Sequence, residues 1–287
     1  ASFAIPEALT SITIKHEGKN TALSSLRVAG GSTTELTATG WYYGNKVYSA
    51  DTSFTWSVSD ALGTIDADGT FTAVQTGRDV TGTLTVTYGE TSCTLPVTVG
   101  SSQPFDDTKG HWAESYITEL YYAGTLQGSE KNGKLYYRPD ASMTRQEFIV
   151  AMMRYLGTDL SAYASVQLPF DDSGSIASWA KSAMQAAYQL GYLTGSKTNG
   201  KLLAKPGSTI SRQEAMTILS RTKDFADADL NVLSAFSDSG KIADWARTAL
   251  AQMTQQKIIS GSKGKLNPTG KVTRAEVAKM LYMLSES

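Results

Sequence analysis

Two hydrophobic periods divide the chain. Over residues 1 to about 100, apolar and polar positions alternate. Phe54, Trp56 and Val58 share one face, with Thr55, Ser57 and Ser59 on the other. Leu84, Val86 and Tyr88 repeat the pattern, as do Cys93, Leu95, Val97 and Val99. A period of two puts successive side chains on opposite faces, the signature of half-buried strands. Turn signals separate these runs at Gly30-Gly31, Tyr43-Gly44-Asn45, Asp68-Gly69 and Gly89-Glu90. Short strands at this spacing predict an all-β sandwich over residues 1–100. Trp56 is then its core aromatic, and Cys93, on the apolar face, a buried structural thiol. Asp66-Ala67-Asp68-Gly69 reads as a hairpin turn. As a calcium loop it lacks a third acidic position and a distal Glu.

Gly100-Ser101-Ser102-Gln103-Pro104 is a small, polar linker ending in Pro, a fitting boundary. Beyond it the period becomes helical. His111–Tyr122, Gln146–Leu156, Ala177–Leu190, Gln213–Arg221, Ala243–Gln255 and Ala275–Leu284 are expected as amphipathic helices.

This second part repeats one unit three times. Each copy opens with Phe-x-Asp, at Phe105/Asp107, Phe170/Asp172 and Phe236/Asp238. A Trp follows at an expected helix start: Trp112, Trp179 and Trp245. Sixteen residues after each Trp stands a Gly-Ser pair, Gly128-Ser129, Gly195-Ser196 and Gly261-Ser262. Then come the lysines of a Gly-Lys-Leu, Lys134, Lys201 and Lys265, and a Pro, Pro139, Pro206 and Pro268. Six residues after each Pro is an Arg: Arg145, Arg212 and Arg274. Length varies where turn signals such as Asn132-Gly133 and Asn199-Gly200 stand. Each unit therefore reads as helix, short hairpin or loop, then helix. The repeat boundaries expected are 104–163, 168–225 and 234–287.

The second helix of each unit opens with a capping box: Thr144-Arg-Gln-Glu147, Ser211-Arg-Gln-Glu214 and Thr273-Arg-Ala-Glu276. The cap explains Thr, Ser and Glu. It does not explain the Arg, which faces the positive end of the helix macrodipole. Three occurrences in one register point to an anion there. Free N–H groups at a helix start and an adjacent guanidinium would bind carboxylate or phosphate together. The structural alternative pairs each Arg with a neighbouring unit's Asp, such as that of Phe-x-Asp. The tryptophans are either core or half-exposed platforms for a sugar ring. The Gly-Ser glycines read first as helix C-caps, and they would also permit close backbone approach to a ligand. The three lysines read as solvated.

Composition narrows the chemistry. Apolar residues make up 41% of 287, enough for packed cores. Lys+Arg total 26 against Asp+Glu 27, which excludes a chain-wide basic footprint for nucleic acid. No apolar run approaches about 18 residues, so no membrane insertion is expected. One cysteine and two histidines, His16 and His111, argue against a disulfide framework, a Cys-rich metal site and His-based catalysis. No cofactor is implied. Asp106/Asp107 and Asp171/Asp172 are adjacent acids, as a glycosidase needs, but the third unit has Ser237-Asp238. They fit repeat positions capping near the Trp helix better. A start at Ala1 without Met suggests a processed protein or a part of a longer one.

In their order and triplication these motifs resemble S-layer homology (SLH) domains. Thr273–Glu276 carries the family's Thr-Arg-Ala-Glu literally, while the first two units have Gln third. The resemblance covers residues 104–287. It implies a pseudo-threefold spindle of three lobes around a helical bundle. It also implies non-catalytic attachment to the bacterial cell wall, hence an extracellular location. The implied ligand is a secondary cell wall polysaccharide bearing pyruvate ketals on N-acetylmannosamine, held in grooves between lobes. Its carboxylate would fall to Arg145, Arg212 and Arg274. Asp107, Asp172, Asp238, Trp112, Trp179, Trp245, Gly128, Gly195 and Gly261 match groove positions. Two departures make the grooves unequal: Lys257 replaces the glycine found at Gly124 and Gly191, and Ala204 stands where Tyr137 is aromatic. Residues 56–60 and 63–73 resemble bacterial immunoglobulin-like modules, which serve as spacers. Alternatives are the C-terminal part of a larger surface enzyme, such as a polysaccharide hydrolase, and an adhesion module whose first domain binds a protein partner.

Overall fold

A computed structural model of the chain describes residues 9–18, 21–43, 45–46 and 54–285. Gly44 of the expected Tyr43-Gly44-Asn45 turn and the last two residues of the third repeat lie outside them. Contacts divide the chain into two compact units, Ala1–Pro104 and Phe105–Ser287.

Among the described residues the first unit is built of strands, with one short 3-10 turn at Asp60–Leu62. Its strands are β1 (Ser11–His16), β2 (Leu26–Ala29), β3 (Thr33–Tyr42), β4 (Asn45–Lys46), β5 (Thr55–Val58), β6 (Gly63–Ile65), β7 (Thr70–Ala73), β8 (Val80–Tyr88) and β9 (Thr91–Gly100). One sheet runs β1-β3-β7-β6 with β4 on β3, and the other runs β2-β9-β8-β5. All neighbours pair antiparallel except β2 and β9, which run parallel with Leu26 opposite Val97. The alternation works as expected. Leu84, Val86, Leu95, Val97 and Val99 from one sheet share an apolar cluster with Ile12, Ile14, Leu36 and Phe71 from the other. Trp56 and Cys93 are partly buried against that cluster. Burial pushes the Cys93 thiol above its ordinary pKa, away from the reactive thiolate. The Asp66 loop is a turn between β6 and β7. Asp66 Oδ1 accepts from the N–H groups of Asp68 (3.0 Å) and Thr70 (2.8 Å), and Gly69 takes a φ of +89°.

Among the described residues the second unit holds six α-helices, besides short 3-10 turns: α1 (Glu114–Tyr122), α2 (Arg145–Tyr155), α3 (Lys181–Gln189), α4 (Arg212–Leu219), α5 (Asp244–Gln255) and α6 (Arg274–Ser285). The hairpin β10 (Ser129–Lys131) with β11 (Lys134–Tyr136) stands in the first repeat, and β12 (Ser196–Thr198) with β13 (Lys201–Leu203) in the second. Their turns, Asn132-Gly133 and Asn199-Gly200, have positive φ at both residues, as a two-residue hairpin requires. The third repeat shortens this to one bridge, Ser262 opposite Lys265.

Second helices pair with first helices of the next repeat: α2 with α3, α4 with α5, and α6 back onto α1. Tyr116 and Tyr282 meet across that last seam with ring centroids 5.0 Å apart. Backbone bonds follow the same circuit. The N–H of Met143 donates to Val272, that of Val272 to Ile210, and that of Ile210 to Met143, at 3.0–3.1 Å. The three lobes thus close a ring in which every lobe bonds both others.

Two expectations about caps are corrected. The Gly-Ser glycines are not helix C-caps, since the left-handed residues ending the first helices are Gly124 (φ +76°), Gly191 (+79°) and Lys257 (+58°). Nor are the N–H groups opening the second helices free for an anion. Those of Arg145, Arg212 and Arg274 donate to Ser208, Gly270 and Ala141 of the next lobe at 2.8–2.9 Å. Those of Gln146, Gln213 and Ala275 donate to Pro206, Pro268 and Pro139. The next N–H is taken by the cap hydroxyl of Thr144, Ser211 or Thr273.

Lys257 holds a conformation that favours glycine, at a cost on the order of 0.5–1 kcal/mol. Lys257→Gly should raise the melting temperature by about 1–3 °C in a calorimetric scan. A lowered value would contradict the assignment of strain.

Candidate functional site

The repeat arginines cross the seams. Arg145 Nε donates to Ala204 O (2.8 Å) and Nη1 to Glu214 Oε1 (2.9 Å), both in the second lobe. Arg212 Nη1 pairs with Glu276 Oε1 of the third lobe at 2.9 Å, while its Nε is buried without a partner among the described residues. Arg274 closes the ring differently. Its Nε donates to Tyr137 O (2.7 Å) and its Nη2 to Gln127 O (2.8 Å) in the first lobe. Its guanidinium lies 4.4 Å from the Tyr137 ring centroid, a cation–π contact. Tyr137, fully buried, donates its hydroxyl to Arg274 O at 3.0 Å. The carboxylate opposing Arg145 and Arg212 is therefore the next lobe's capping-box Glu, not the Phe-x-Asp aspartate that the structural alternative expected.

The aspartates are occupied within their own lobes. Each offers its two oxygens to two successive N–H groups. Asp107 accepts from Tyr137 and Arg138, Asp172 from Ala204 and Lys205, and Asp238 from Leu266 and Asn267, all at 2.7–2.9 Å. The second residue of each pair, Arg138, Lys205 or Asn267, has a φ of +52° to +58°. The carboxylate thus holds a strained turn that leads into the Pro. This replaces the expected capping of the Trp helix. Asp106 ion-pairs with Lys134 at 2.8 Å, so that lysine is not simply solvated. Asp172 also acts electrostatically on Arg145, together with Glu214.

The glycines are explained by packing. A Cβ on Gly128 would come within 2.4 Å of the Phe105 ring. On Gly195 it would be 2.6 Å from Phe170, and on Gly261 2.8 Å from Phe236. The tryptophans are surface residues rather than core: Trp112, Trp179 and Trp245 expose 55%, 57% and 57% of their area.

One cleft joins these elements. Its volume is about 300 Å³, and its walls include Arg145 of the first lobe, Gly195, Ser196, Glu214 and Arg221 of the second, and Trp245 of the third. Three residues singled out in sequence, Arg145, Gly195 and Trp245, thus meet from three repeats. A cationic wall, a paired carboxylate and an exposed indole suit a small anionic sugar, at the lower end of ligand-site volumes.

The S-layer homology domain family matches this chain at residues 104–149, 169–216 and 235–278. The chain carries three tandem S-layer homology domains. Such domains bind cell wall polysaccharide and hold proteins at the bacterial cell surface, and that is where this chain belongs. The chain is 28% identical over 207 residues to an amylopullulanase of Thermoanaerobacterium thermosulfurigenes, covering 70% of this chain and 10% of that protein. It is 29% identical over 189 residues to the exoglucanase XynX of Acetivibrio thermocellus, covering 64% and 16%. It is 28% identical over 192 residues to the surface-layer 125 kDa protein of Lysinibacillus sphaericus, covering 63% and 15%. The chain therefore spans less than one fifth of each of these relatives. Among the described residues, no helix is long and apolar enough to cross a membrane.

The SLH repeat also explains a residue difference that sequence reasoning missed. Gln146 Oε1 accepts from Ala177 N and Gln213 Oε1 from Ala243 N, each capping the next lobe's first helix at 3.0 Å. The third repeat has Ala275 instead. The matching N–H, that of Gly110, is already taken by Glu114 at 2.8 Å. The sequence signal was there, in Gln at two copies and Ala at the third.

Burial raises the Asp238 pKa, but the N–H bonds from Leu266 and Asn267 outweigh it, so the carboxyl lies below its ordinary value. A depressed carboxyl stabilises the fold above its unfolded pKa, about 3.9, and loses that as pH falls through the folded value. Asp238→Asn should therefore melt lower than wild type at pH 7, with the gap closing below about pH 4. A gap independent of pH would contradict a role for the charge.

Proposed function

We propose that the chain fastens an exported protein to the bacterial cell wall by holding an anionic, pyruvylated wall polysaccharide in clefts between its lobes. The observation that carries this reading is the cleft lined by Arg145, Gly195 and Trp245, one residue from each repeat. The guanidinium would receive the ketal carboxylate and the indole would stack on the sugar ring. By repeat register, Arg212 with Gly261 and Trp112, and Arg274 with Gly128 and Trp179, would form the two companion clefts. The aspartates Asp107, Asp172 and Asp238 would act there by holding the turns beneath the arginines. Each cleft binds modestly, and a repeating polymer engaging several of them raises the effective concentration.

On this reading the second unit is a pseudo-threefold spindle with repeats at 104–163, 168–225 and 234–287, and it does no catalysis. The first unit, residues 1–100, is an immunoglobulin-like sandwich acting as a spacer. A second reading makes these residues the anchoring part of a larger surface enzyme. It is favoured by the amylopullulanase and exoglucanase relatives, of which the chain covers 10% and 16%.

Retention on purified wall material tests the proposal. Arg→Ala at any one of Arg145, Arg212 and Arg274 should weaken retention in part, and the triple variant should abolish it. Circular dichroism on each variant checks that the ring still folds. A folded triple variant with unchanged retention would overturn the arginine assignment. Material stripped of its pyruvate should retain the wild type poorly; equal retention would shift recognition to neutral sugar contacts.

A further inference from the structure

Glu214 offsets part of the charge that Arg145 brings to its cleft, so a second cation there would strengthen the reading of negative charge. Glu214 sits 2.9 Å from Arg145 Nη1, and Ala204 O takes Nε. That pair is close to neutral as a unit. The same cleft has a second cation on its wall, Arg221, in the turn that follows α4. Only its Nη1 is bonded among the described residues, to Tyr192 O at 2.8 Å and Thr194 Oγ1 at 3.4 Å. Both partners are uncharged oxygens of its own lobe, and no carboxylate pairs with it. A guanidinium has five N–H donors in a fixed fork. Anchoring through Nη1 fixes this fork and leaves Nε and Nη2 for a ligand. Partial burial lowers its pKa from the ordinary value, while the residue as a whole stays exposed and open to a ligand.

We propose that Arg221 is a second, charge-reading contact of this cleft, where it takes the carboxylate of an acidic sugar alongside Arg145. This deepens the wall-anchor reading and rests on it. Arg221 lies outside the thrice-repeated motif. At the same register the first repeat has Arg154 and the third has Met283. The positive charge contributed from this helix position is therefore a property of particular clefts and not of the SLH pattern. Binding the carboxylate at Arg221 also leaves the Arg145–Glu214 pair intact across the seam.

Trp245 lines the same cleft, so its indole N–H resonance in the full chain reports this cleft separately from the others. The probe is the methyl glycoside of pyruvylated N-acetylmannosamine, compared with its methyl ester, which lacks the charge. In wild type the acid should bind more tightly than the ester at Trp245. Arg221→Gln should weaken the acid about tenfold and leave the ester unchanged, with the Trp112 and Trp179 titrations unaltered. Arg221→Lys should restore most of the preference for the acid, since it keeps the charge. A purely structural Arg221 would move acid and ester together. An acid-to-ester ratio at Trp245 that is the same in wild type and Arg221→Gln would overturn this inference and leave the wall-anchor reading standing. Equal binding of acid and ester at Trp245 in wild type would overturn it too. If neither probe moves any of the three indoles in wild type, the anionic-sugar reading fails and this inference fails with it.

Discussion

Everything in the second unit depends on the backbone bonds by which each lobe completes the next. The N–H groups of Met143, Ile210 and Val272 pass around a closed circuit. Beside them, the first two N–H groups of α2, α4 and α6 end on carbonyls of the following Pro turn. A helix start leaves N–H groups that must find partners. Here the partners come from another repeat, so no lobe is complete alone. The first–second helix pairs that build the bundle are likewise made between lobes.

That constraint accounts for much of what the sequence repeats. Pro turns recur because their carbonyls receive the second helix of the preceding lobe. Phe-x-Asp recurs because its carboxylate holds the left-handed residue that shapes the turn, and its ring fills the space that Gly128, Gly195 or Gly261 leaves. The arginines recur at seams, where Glu214 and Glu276 or the Tyr137 face offset their poor placement against the helix dipole. The tryptophans alone have no packing duty of this kind. Three large indoles more than half exposed, in one register, are the surface that the proposed function assigns to sugar stacking. On the proposed function, structure and recognition meet in the arginines: all three tie the ring, and Arg145 also lines the cleft.

The architecture was largely legible in the sequence, because its signals are local. Period-two alternation marked the strands around Trp56, Leu84 and Leu95, and the capping boxes marked α2, α4 and α6 to within a residue. Asn132-Gly133 and Asn199-Gly200 marked their hairpins. What was not legible depends on which lobe follows which in space. The N–H groups at Arg145 read as free because their acceptors at Ser208 and Pro206 lie some sixty residues away. The carboxylate facing Arg145 was sought in Phe-x-Asp, whereas Glu214 serves both its own cap and its neighbour's arginine. Gly128 was read as a helix cap since the sequence counts residues after the Trp, not the turn at Gly124 that ends the helix. Arg221 carried no repeat signal and became visible only as a wall of the cleft.

The most direct test is a double-mutant cycle on affinity for wall polysaccharide, using residues one hundred positions apart. Arg145 and Trp245 line one cleft, whereas Arg145 and Trp179 belong to different clefts on the register proposed above. Trp245→Ala should cost little further affinity once Arg145→Ala is present, whereas Trp179→Ala should add its full cost in that background, since distant sites add and shared ones do not. Full additivity of Arg145 with Trp245, or coupling of Arg145 with Trp179, would contradict a binding site assembled from three lobes.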